Sequence, residues 1–280
     1  MARLGIASFL LLSFAGCAPG EELLEGPGPS GAAAVDKIYG GDVATQPYHD
    51  AVVGLHERTK RGVYTQPFCS GTLIGTEWVL TAAHCVVDSR GRAKKAETFA
   101  IYVGDSASTD TDIWSHLYYV SSVQMHASYS RTTLRNDIAL LRLSTPVTEV
   151  DAVPYLPASQ ALTSADIGTN LNHAGFGYDE TRAYGVKLQV DVPLGGFGCA
   201  VSGCSSAGDP STQISYTQTG DGSGPEGPCN GDSGGPAFIT RGTTTYVAGI
   251  TSYGDSYCNV YGVSTKVDAY ADWIRTRTGL

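Results

Sequence analysis

The chain has 280 residues, of which 42% are hydrophobic and 16% are charged, and its formal net charge is −9 at pH 7. A chain of this length and apolar content buries a sizeable core, as one large all-β domain or as two subdomains, and its acidic balance argues against nucleic acid as a partner. The 35 glycines and the scarcity of helical charge patterns favour short strands joined by turns.

Residues 1–16 are predicted to form an export signal peptide. A weakly basic start precedes Leu4–Phe14, an apolar run too short to span a bilayer as a mature helix. SFAGC at 13–17 resembles a bacterial lipobox, in which cleavage before Cys17 exposes that residue to lipid attachment, although Phe14 stands where the motif usually has Leu. The alternative is an ordinary secretory signal in which Cys17 is incidental. We therefore expect an exported chain, either an outer-membrane or cell-surface lipoprotein or a secreted protein.

A flexible tether follows the signal peptide. The stretch APGEELLEGPGPS at 18–30 is rich in Pro, Gly and Glu and has no periodic apolar face. It leads to DKIYGG at 36–41, after which strand-like segments begin. We therefore expect residues 17–37 to stand outside the folded domain.

Beyond residue 41 the pattern is that of strands, with one helix at the end. The strand-like segments are HDAVVGLH, SGTLIGTEWVLTAA, FAIYVG, LYYVSSVQM, DIALLRL, VKLQVDV and TTYVAGITSYG. Only VDAYADWIRTR has helical spacing, which places Val267, Tyr270, Trp273 and Ile274 on one side. The pattern predicts an all-β fold with a C-terminal helix.

The cysteines suit an oxidising compartment. They are at 17, 69, 85, 199, 204, 229 and 258, and an odd count in an exported chain leaves one without a partner. Lipidation of Cys17 would account for the odd residue, and the remaining six can form three disulfides. No C-x-x-C pair with matching histidines is present, so a structural zinc site is not expected.

GDSGG at 231–235 fits the G-x-S-x-G elbow of an α/β-hydrolase and also the serine loop of an all-β peptidase. An α/β-hydrolase places its catalytic histidine after the serine. The six histidines, at 49, 56, 84, 116, 126 and 173, all precede Ser233. The order histidine, aspartate, serine is available instead, so the elbow is excluded.

Six motifs in chain order carry a resemblance to a known family. They are IYGG at 38–41, LTAAHC at 80–85, NDIALLRL at 136–143, AGFG at 174–177, CNGDSGGP at 229–236 and TSYG at 251–254. Together they resemble the trypsin/chymotrypsin-type serine peptidases over nearly all of residues 38–280, with Phe176 where that family usually has Trp. The resemblance implies two packed six-stranded antiparallel Greek-key β-barrels, roughly 38–150 and 151–280, with a C-terminal helix.

The same resemblance implies a catalytic triad of His84, Asp137 and Ser233. A serine hydroxyl needs a base to accept its proton at neutral pH, and a carboxylate on the far imidazole nitrogen orients that base. The backbone N–H groups of Gly231 and Ser233 are expected to form the oxyanion hole. The implied reaction is hydrolysis of protein or peptide substrates through an acyl-enzyme, without a cofactor or catalytic metal. GDSASTDTD at 104–112 lies near where some relatives bind calcium, but it is as consistent with a solvated loop.

The resemblance also implies a zymogen. Cleavage after Lys37 by a Lys-specific peptidase would free the amino group of Ile38, which would then pair with Asp232 next to the serine.

The family pattern implies two disulfides, Cys69–Cys85 and Cys229–Cys258. Cys199 and Cys204 depart from that pattern, because the family partner of the first lies farther along the chain. A local bridge between Cys199 and Cys204 is the simplest expectation, although the sequence does not choose among the pairings.

The resemblance implies a substrate pocket made by Gly227, Pro228, Ser252, Tyr253, Gly254 and Gly262. The residue six positions before the serine is Gly227, where the family has Asp when it selects Lys or Arg. An open, neutral pocket for apolar side chains is therefore expected. Glu226 is the alternative, as an acidic anchor for basic side chains.

Two other function classes share this fold. A non-catalytic binding protein would usually show a broken triad, whereas all three residues are present here. An esterase would use the same nucleophile without a strand-pairing site, whereas TSYG offers main-chain partners to an extended peptide.

Overall fold

The computed structural model describes residues 38–179, 181–204, 208–220 and 224–280. The predicted signal peptide at 1–16, the lipidation site Cys17, the tether and the cleavage point Lys37 lie outside the described residues. The described part of the chain contains no helix that combines the length and the apolar character needed to span a bilayer.

Strands dominate the described chain, as the sequence predicts. They are β1 (Asp42–Val43), β2 (Val52–Thr59), β3 (Gly62–Gly75), β4 (Trp78–Thr81), β5 (Phe99–Tyr102), β6 (Leu117–Met125), β7 (Ala139–Leu143), β8 (Asn170–Gly175), β9 (Leu188–Pro193), β10 (Gly196–Phe197), β11 (Gln213–Thr217), β12 (Pro236–Arg241), β13 (Thr244–Gly254) and β14 (Tyr261–Lys266). The α-helix α1 (Ala271–Thr278) follows a 3-10 turn at Val267–Tyr270. The all-β fold with a C-terminal helix is thus confirmed.

The first sheet is a closed antiparallel barrel of six strands. Its strand order is β2-β3-β4-β7-β6-β5. Short apolar runs build it, because strands such as β5 and β7 are buried almost throughout.

The second sheet has eight strands and is a half-barrel, where a second closed six-stranded barrel was expected. Its order is β1-β9-β8-β12-β13-β14-β11-β10, and the strands at both edges are only two residues long. Strand β9 alternates in burial, and its inward Leu188, Val190 and Val192 form one apolar cluster with Tyr216 of β11. Side chains rather than a backbone ladder therefore close the gap between these strands.

The C-terminal segment packs on the barrel. Val267, Tyr270 and Ile274 belong to the same buried cluster as Leu55 of β2 and Leu141 of β7. Helix α1 ends at Gly279, whose φ of +78° suits a left-handed cap. The chain's last element therefore completes the core of its first sheet.

Candidate active site

The predicted triad residues come from both sheets. His84 lies on a 3-10 turn, Ala83–Val86, directly after β4, and Asp137 lies two residues before β7. Ser233 lies in the loop that precedes β12. Ser252 lines both the cavity that contains Ser233 and the cleft that contains His84. The fold thus brings the three predicted residues to one place between the sheets.

His84 is held by Asp137 through two hydrogen bonds. Its backbone N–H donates to Oδ1 of Asp137 at 2.8 Å, and its Nδ1 lies 2.7 Å from Oδ2. The hydroxyl of Ser252 also donates to Oδ2, at 2.5 Å. With Nδ1 donating to Asp137, Nε2 of His84 is left as the acceptor.

The electrostatics of this pair favour a stronger base at His84. Burial lowers the pKa of the imidazole, but the charge and the hydrogen bond of Asp137 raise it by more, so the net shift is upward. The Asp137 side chain is fully buried, whereas that of His84 is 25% exposed. A reactant can therefore approach His84 while Asp137 stays shielded from water.

Three contacts that the sequence analysis missed fix Asp137 in place. Besides Ser252, Thr265 donates from Oγ1 to the backbone oxygen of Asp137 at 2.8 Å. The neighbouring Asn136 has a φ of +55° and accepts a hydrogen bond from Tyr270 Oη at 2.9 Å. Asn tolerates this left-handed conformation better than most residues. No local motif signals these contacts, since they join residues far apart in sequence.

Ser70 of β3 anchors the serine loop to the barrel. Its N–H donates to the backbone oxygen of Ser233 at 2.8 Å, and its Oγ donates to that of Gly231 at 3.0 Å. Gly231 has a φ of +98°, which favours glycine. Within the described residues, the N–H groups of Gly231 and Ser233 donate to no protein acceptor. Both remain available to a substrate oxygen, as an oxyanion hole requires.

Asp232 is buried next to the serine. Its carboxylate accepts hydrogen bonds from the backbone N–H groups of Gly177 and Cys229, at 2.8 and 2.9 Å. Burial raises the pKa of Asp232 to about 7, and these two hydrogen bonds only partly oppose that rise. No ion pair of Asp232 occurs among the residues that the structure describes.

The segment after Lys37 docks close to this carboxylate. Ile38 is fully buried and forms a β-bridge with Asp179, two residues after Gly177. The next residue, Tyr39, accepts a hydrogen bond from the N–H of Gly227 at 2.8 Å. Ile38 of the predicted activation pair thus bridges to Asp179, two residues after the Gly177 that donates to Asp232.

A cavity of about 250 Å³ opens beside Ser233. Five of the six predicted pocket residues line it, namely Pro228, Ser252, Tyr253, Gly254 and Gly262. Gly227 is absent from the lining, because the side chain of Gln218 occupies the space beside its Cα.

The expected open pocket is partly filled by two residues that the sequence analysis did not single out. Gln218 lies against Gly227, and the ring of Tyr216 lies where a side chain on Gly262 would stand. Glu226 is not part of the cavity lining, and its Cγ packs against Gly40 instead. Glu226, the acidic anchor of the alternative, therefore does not face this cavity.

The structure forms three disulfides, Cys69–Cys85, Cys199–Cys204 and Cys229–Cys258, which are the pairs expected from the sequence. The first lies beside His84, and these three residues are close enough to resemble a metal-binding cluster. The two sulfurs are bonded to each other and Nδ1 of His84 is bonded to Asp137, so this cluster is not a metal site.

In the acidic loop at 104–112 the carboxylates have protein partners. Asp110 accepts hydrogen bonds from Tyr102 Oη at 2.9 Å and from His116 Nδ1 at 2.6 Å. Asp105 pairs with the buried Lys187 at 3.2 Å. This arrangement is a packed surface loop rather than a set of converging cation ligands.

Comparison with known proteins gives consistent matches. A family model described as Trypsin matches residues 38–274. Brachyurin from Leptuca pugilator is 35% identical over 76% of this chain and 88% of its own length. A trypsin from Phaedon cochleariae is 35% identical over 75% of this chain and 79% of its own length. Vitamin K-dependent protein C from Rattus norvegicus is 30% identical over 75% of this chain and 46% of its own length.

Proposed function

Because this chain belongs to the trypsin family of serine endopeptidases, we propose that it is exported as a precursor and hydrolyses peptide bonds through His84, Asp137 and Ser233. The observation that carries this proposal is the network at Asp137. One buried carboxylate holds the imidazole of His84 and the hydroxyl of Ser252, and Ser252 in turn borders the cavity of Ser233.

The mechanism follows from that network and from the chemistry established for the family. The Oγ of Ser233 attacks the scissile carbonyl and its proton passes to Nε2 of His84, while Asp137 stabilises the imidazolium. The N–H groups of Gly231 and Ser233 bind the oxyanion, which forms only during the reaction. Collapse expels the amine, which takes the proton from His84. Water then attacks the acyl-enzyme while His84 accepts its proton, and His84 returns that proton to Oγ of Ser233 as the acid leaves.

The register of the second sheet favours a peptide over a simple ester as the substrate. The ladder between β12 and β13 ends at Ile250, whereas the ladder between β13 and β14 continues to Gly254. Strand β13 thus extends past one partner, alongside the cavity of Ser233. An extended peptide can pair with a strand end of this kind.

Replacement of the nucleophile tests the proposal. Ser233→Ala in the activated protein should lower kcat for peptide hydrolysis by several orders of magnitude and leave the circular dichroism and Tm unchanged. The matched control is Ser159→Ala, since Ser159 is exposed in the 3-10 turn Ala158–Gln160 and does not line the cavity. Peptide hydrolysis by Ser233→Ala at the wild-type rate would refute the mechanism.

Activation by cleavage after Lys37 is part of the proposal. Asp232 is a buried carboxylate with a raised pKa, and Ile38 lies buried in the same region. A new ammonium at Ile38 would supply the cation that Asp232 lacks. Asp255 is the one described acid that lines the cavity, and backbone N–H groups already hold its carboxylate. A separate Lys-specific peptidase is therefore the proposed activator.

Export rests on the signal-like residues 1–16, and lipid attachment rests on Cys17 within SFAGC and on the odd cysteine count. We include both in the proposed function, with a membrane contact only through the lipid.

A further inference from the structure

We propose that Gln218 forms the floor of the primary pocket and restricts it to uncharged side chains. This inference rests on the proposed function, since it names the substrate class of that same site. "Primary side chain" here means the side chain of the residue that precedes the scissile bond.

Gln218 is held rigidly behind the cavity of Ser233. It follows β11, is 1% exposed and lines that cavity. Its Nε2 donates to the backbone oxygen of Pro228 at 2.7 Å. Its backbone N–H donates to Val260 at 3.0 Å, and its backbone oxygen accepts from Glu226 at 3.2 Å. Contacts to two separate loops thus fix both the main chain and the side chain.

The amide of Gln218 lies between Gly227 and Gly254. Its Cγ, Cδ and Nε2 occupy the space that a side chain on Gly227 would need. Its Oε1 lies near Gly254, at a distance where a Cβ on that glycine would be in ordinary van der Waals contact with it. Gly227 precedes the serine loop and Gly254 ends β13, so the amide spans the distance between them. Tyr216, which is also 1% exposed, covers Gly262 beside it. A primary side chain that enters past Ser233 therefore meets an amide.

No carboxylate among the described residues is free to receive a cation at this floor. Glu226 packs against Gly40. Asp255 lines the cavity, but its oxygens accept backbone N–H groups, which are those of Tyr257, Asn259, Val260 and Tyr261. Asp232 is buried between Gly177 and Cys229 and does not line the cavity.

The consequence for specificity is electrostatic. A lysine or arginine side chain would lose its hydration in this cavity, which is unfavourable. Among the described residues the one acid in the lining, Asp255, is already held by backbone N–H groups. An uncharged side chain loses little, because the amide of Gln218 already has its partner at Pro228. The floor therefore discriminates by charge more than by size.

Near-isosteric variants of one residue test the inference. Activated wild type, Gln218→Glu and Gln218→Met are compared on peptides that differ only in Leu or Lys as the primary side chain. We expect Gln218→Glu to raise the Lys/Leu ratio of kcat/KM by at least about tenfold, because it adds a carboxylate of equal size beside a bound ammonium. Gln218→Met, which keeps the length without charge, should leave the ratio below one.

Gln213→Glu is the matched control. Gln213 is a second glutamine of the β11 region, also 1% exposed, but its side chain bonds to Leu134 and Asp209 and does not line the cavity. That variant should alter Tm without altering the ratio. An unchanged ratio in Gln218→Glu with intact turnover of the Leu peptide overturns the inference and leaves the proposed function standing. Wild type that cleaves neither peptide after activation overturns both.

Gln218→Ala provides a second test in case Gln218→Glu does not fold, because it removes the amide and introduces no charge. It should accept larger uncharged side chains and raise the Phe/Leu ratio of kcat/KM, because the space beside Gly227 becomes vacant. A Phe/Leu ratio equal to that of wild type would contradict the placement of Gln218 at the floor.

Discussion

Three donors converge on the carboxylate of Asp137. The backbone N–H and the imidazole of His84 take one oxygen each, and Ser252 shares the second oxygen with the imidazole. The carboxylate is therefore fixed in orientation before any substrate arrives, which removes the cost of reorganising it during the reaction. The proposed chemistry therefore depends on the orientation of one buried carboxylate.

The pH dependence of activity should report this charge. Asp137 holds the pKa of His84 above its ordinary value of 6.5, and a protonated imidazole cannot accept the proton of Ser233. Activity should therefore fall as pH drops through that pKa, with the midpoint of the acid limb of kcat/KM above pH 6.5. Asp137→Asn should move the midpoint to lower pH and reduce kcat by about 10⁴-fold, the effect of the equivalent substitution in the trypsin family.

The pH profile is measured from pH 4 to 9 on a neutral peptide. Asp151→Asn is the control, because Asp151 is exposed and lies apart from the site. A midpoint at or below pH 6.5 in wild type, or an unmoved midpoint in Asp137→Asn, would contradict the assigned role of Asp137.

Residues with distinctive local motifs were predictable from sequence, and residues with long-range partners were not. LTAAHC, NDIALLRL and GDSGG each predict one member of the proposed triad. Ser252 was predicted only as a pocket residue, because its partner Asp137 is 115 positions away. Gln218 lies in the unremarkable stretch YTQTG, and only the folded chain reveals that its side chain reaches Gly227.

Among the elements, the segment at 38–41 is the most unusual. It is fixed by bridges to Asp179 and Gly227, and Gly40 has a φ of +69° that favours glycine. The sequence predicted its importance from IYGG, but its neighbours depend on tertiary packing. These bridges connect Ile38 and Tyr39, which follow the proposed cleavage point, to the segment that leads into the loop of Asp232.

Cleavage after Lys37 should stabilise the folded protein at neutral pH. In the uncut chain, burial raises the pKa of Asp232 from 3.8 to about 7. The unfolded chain therefore releases this proton first, and stability falls as pH rises from about 4 to about 7. The loss is about 4 kcal/mol above pH 7. An ammonium at Ile38 would lower the pKa of Asp232 and reverse much of this loss.

Denaturant unfolding of uncut and cut protein at pH 5 and pH 8 measures the effect, in the Ser233→Ala background to prevent self-digestion. A trace of Lys-specific peptidase makes the cut, and the uncut wild-type chain incubated alone should stay uncut over the same period. In Asp232→Asn the cut should add no stability. Equal stability of the cut and uncut forms at pH 8 would contradict the pairing of Ile38 with Asp232.

On the scale of the whole molecule, each end of the domain packs on the sheet formed by the other half of the chain. Strand β1 comes first in the chain but pairs with β9 of the second sheet, and helix α1 comes last but packs on the core of the barrel. The sequence predicted the all-β class and the terminal helix. It did not predict the eight-stranded half-barrel, because two-residue edge strands such as β10 leave no periodic pattern.

Intact-mass measurement on membrane-extracted protein tests the lipid anchor. The uncut chain should begin at Cys17 and carry an added diacylglyceryl mass, and Cys17→Ser should abolish both the added mass and the membrane association. The control is Cys199→Ser with Cys204→Ser, which removes a disulfide without touching the signal. A soluble product that begins at another residue would contradict the anchor.

The disulfides described above bear on what could hold residues 17–37 to the folded domain. All six cysteines after Cys17 are joined to one another, Cys69 to Cys85, Cys199 to Cys204 and Cys229 to Cys258. None is left to retain residues 17–37 once the bond after Lys37 is broken. The activating cleavage after Lys37 would therefore also release the peptidase domain from the lipid-anchored segment 17–37. Activation and release from the membrane would occur in one step. An anchored molecule would then not digest proteins of its own membrane, and each active molecule would act away from that membrane.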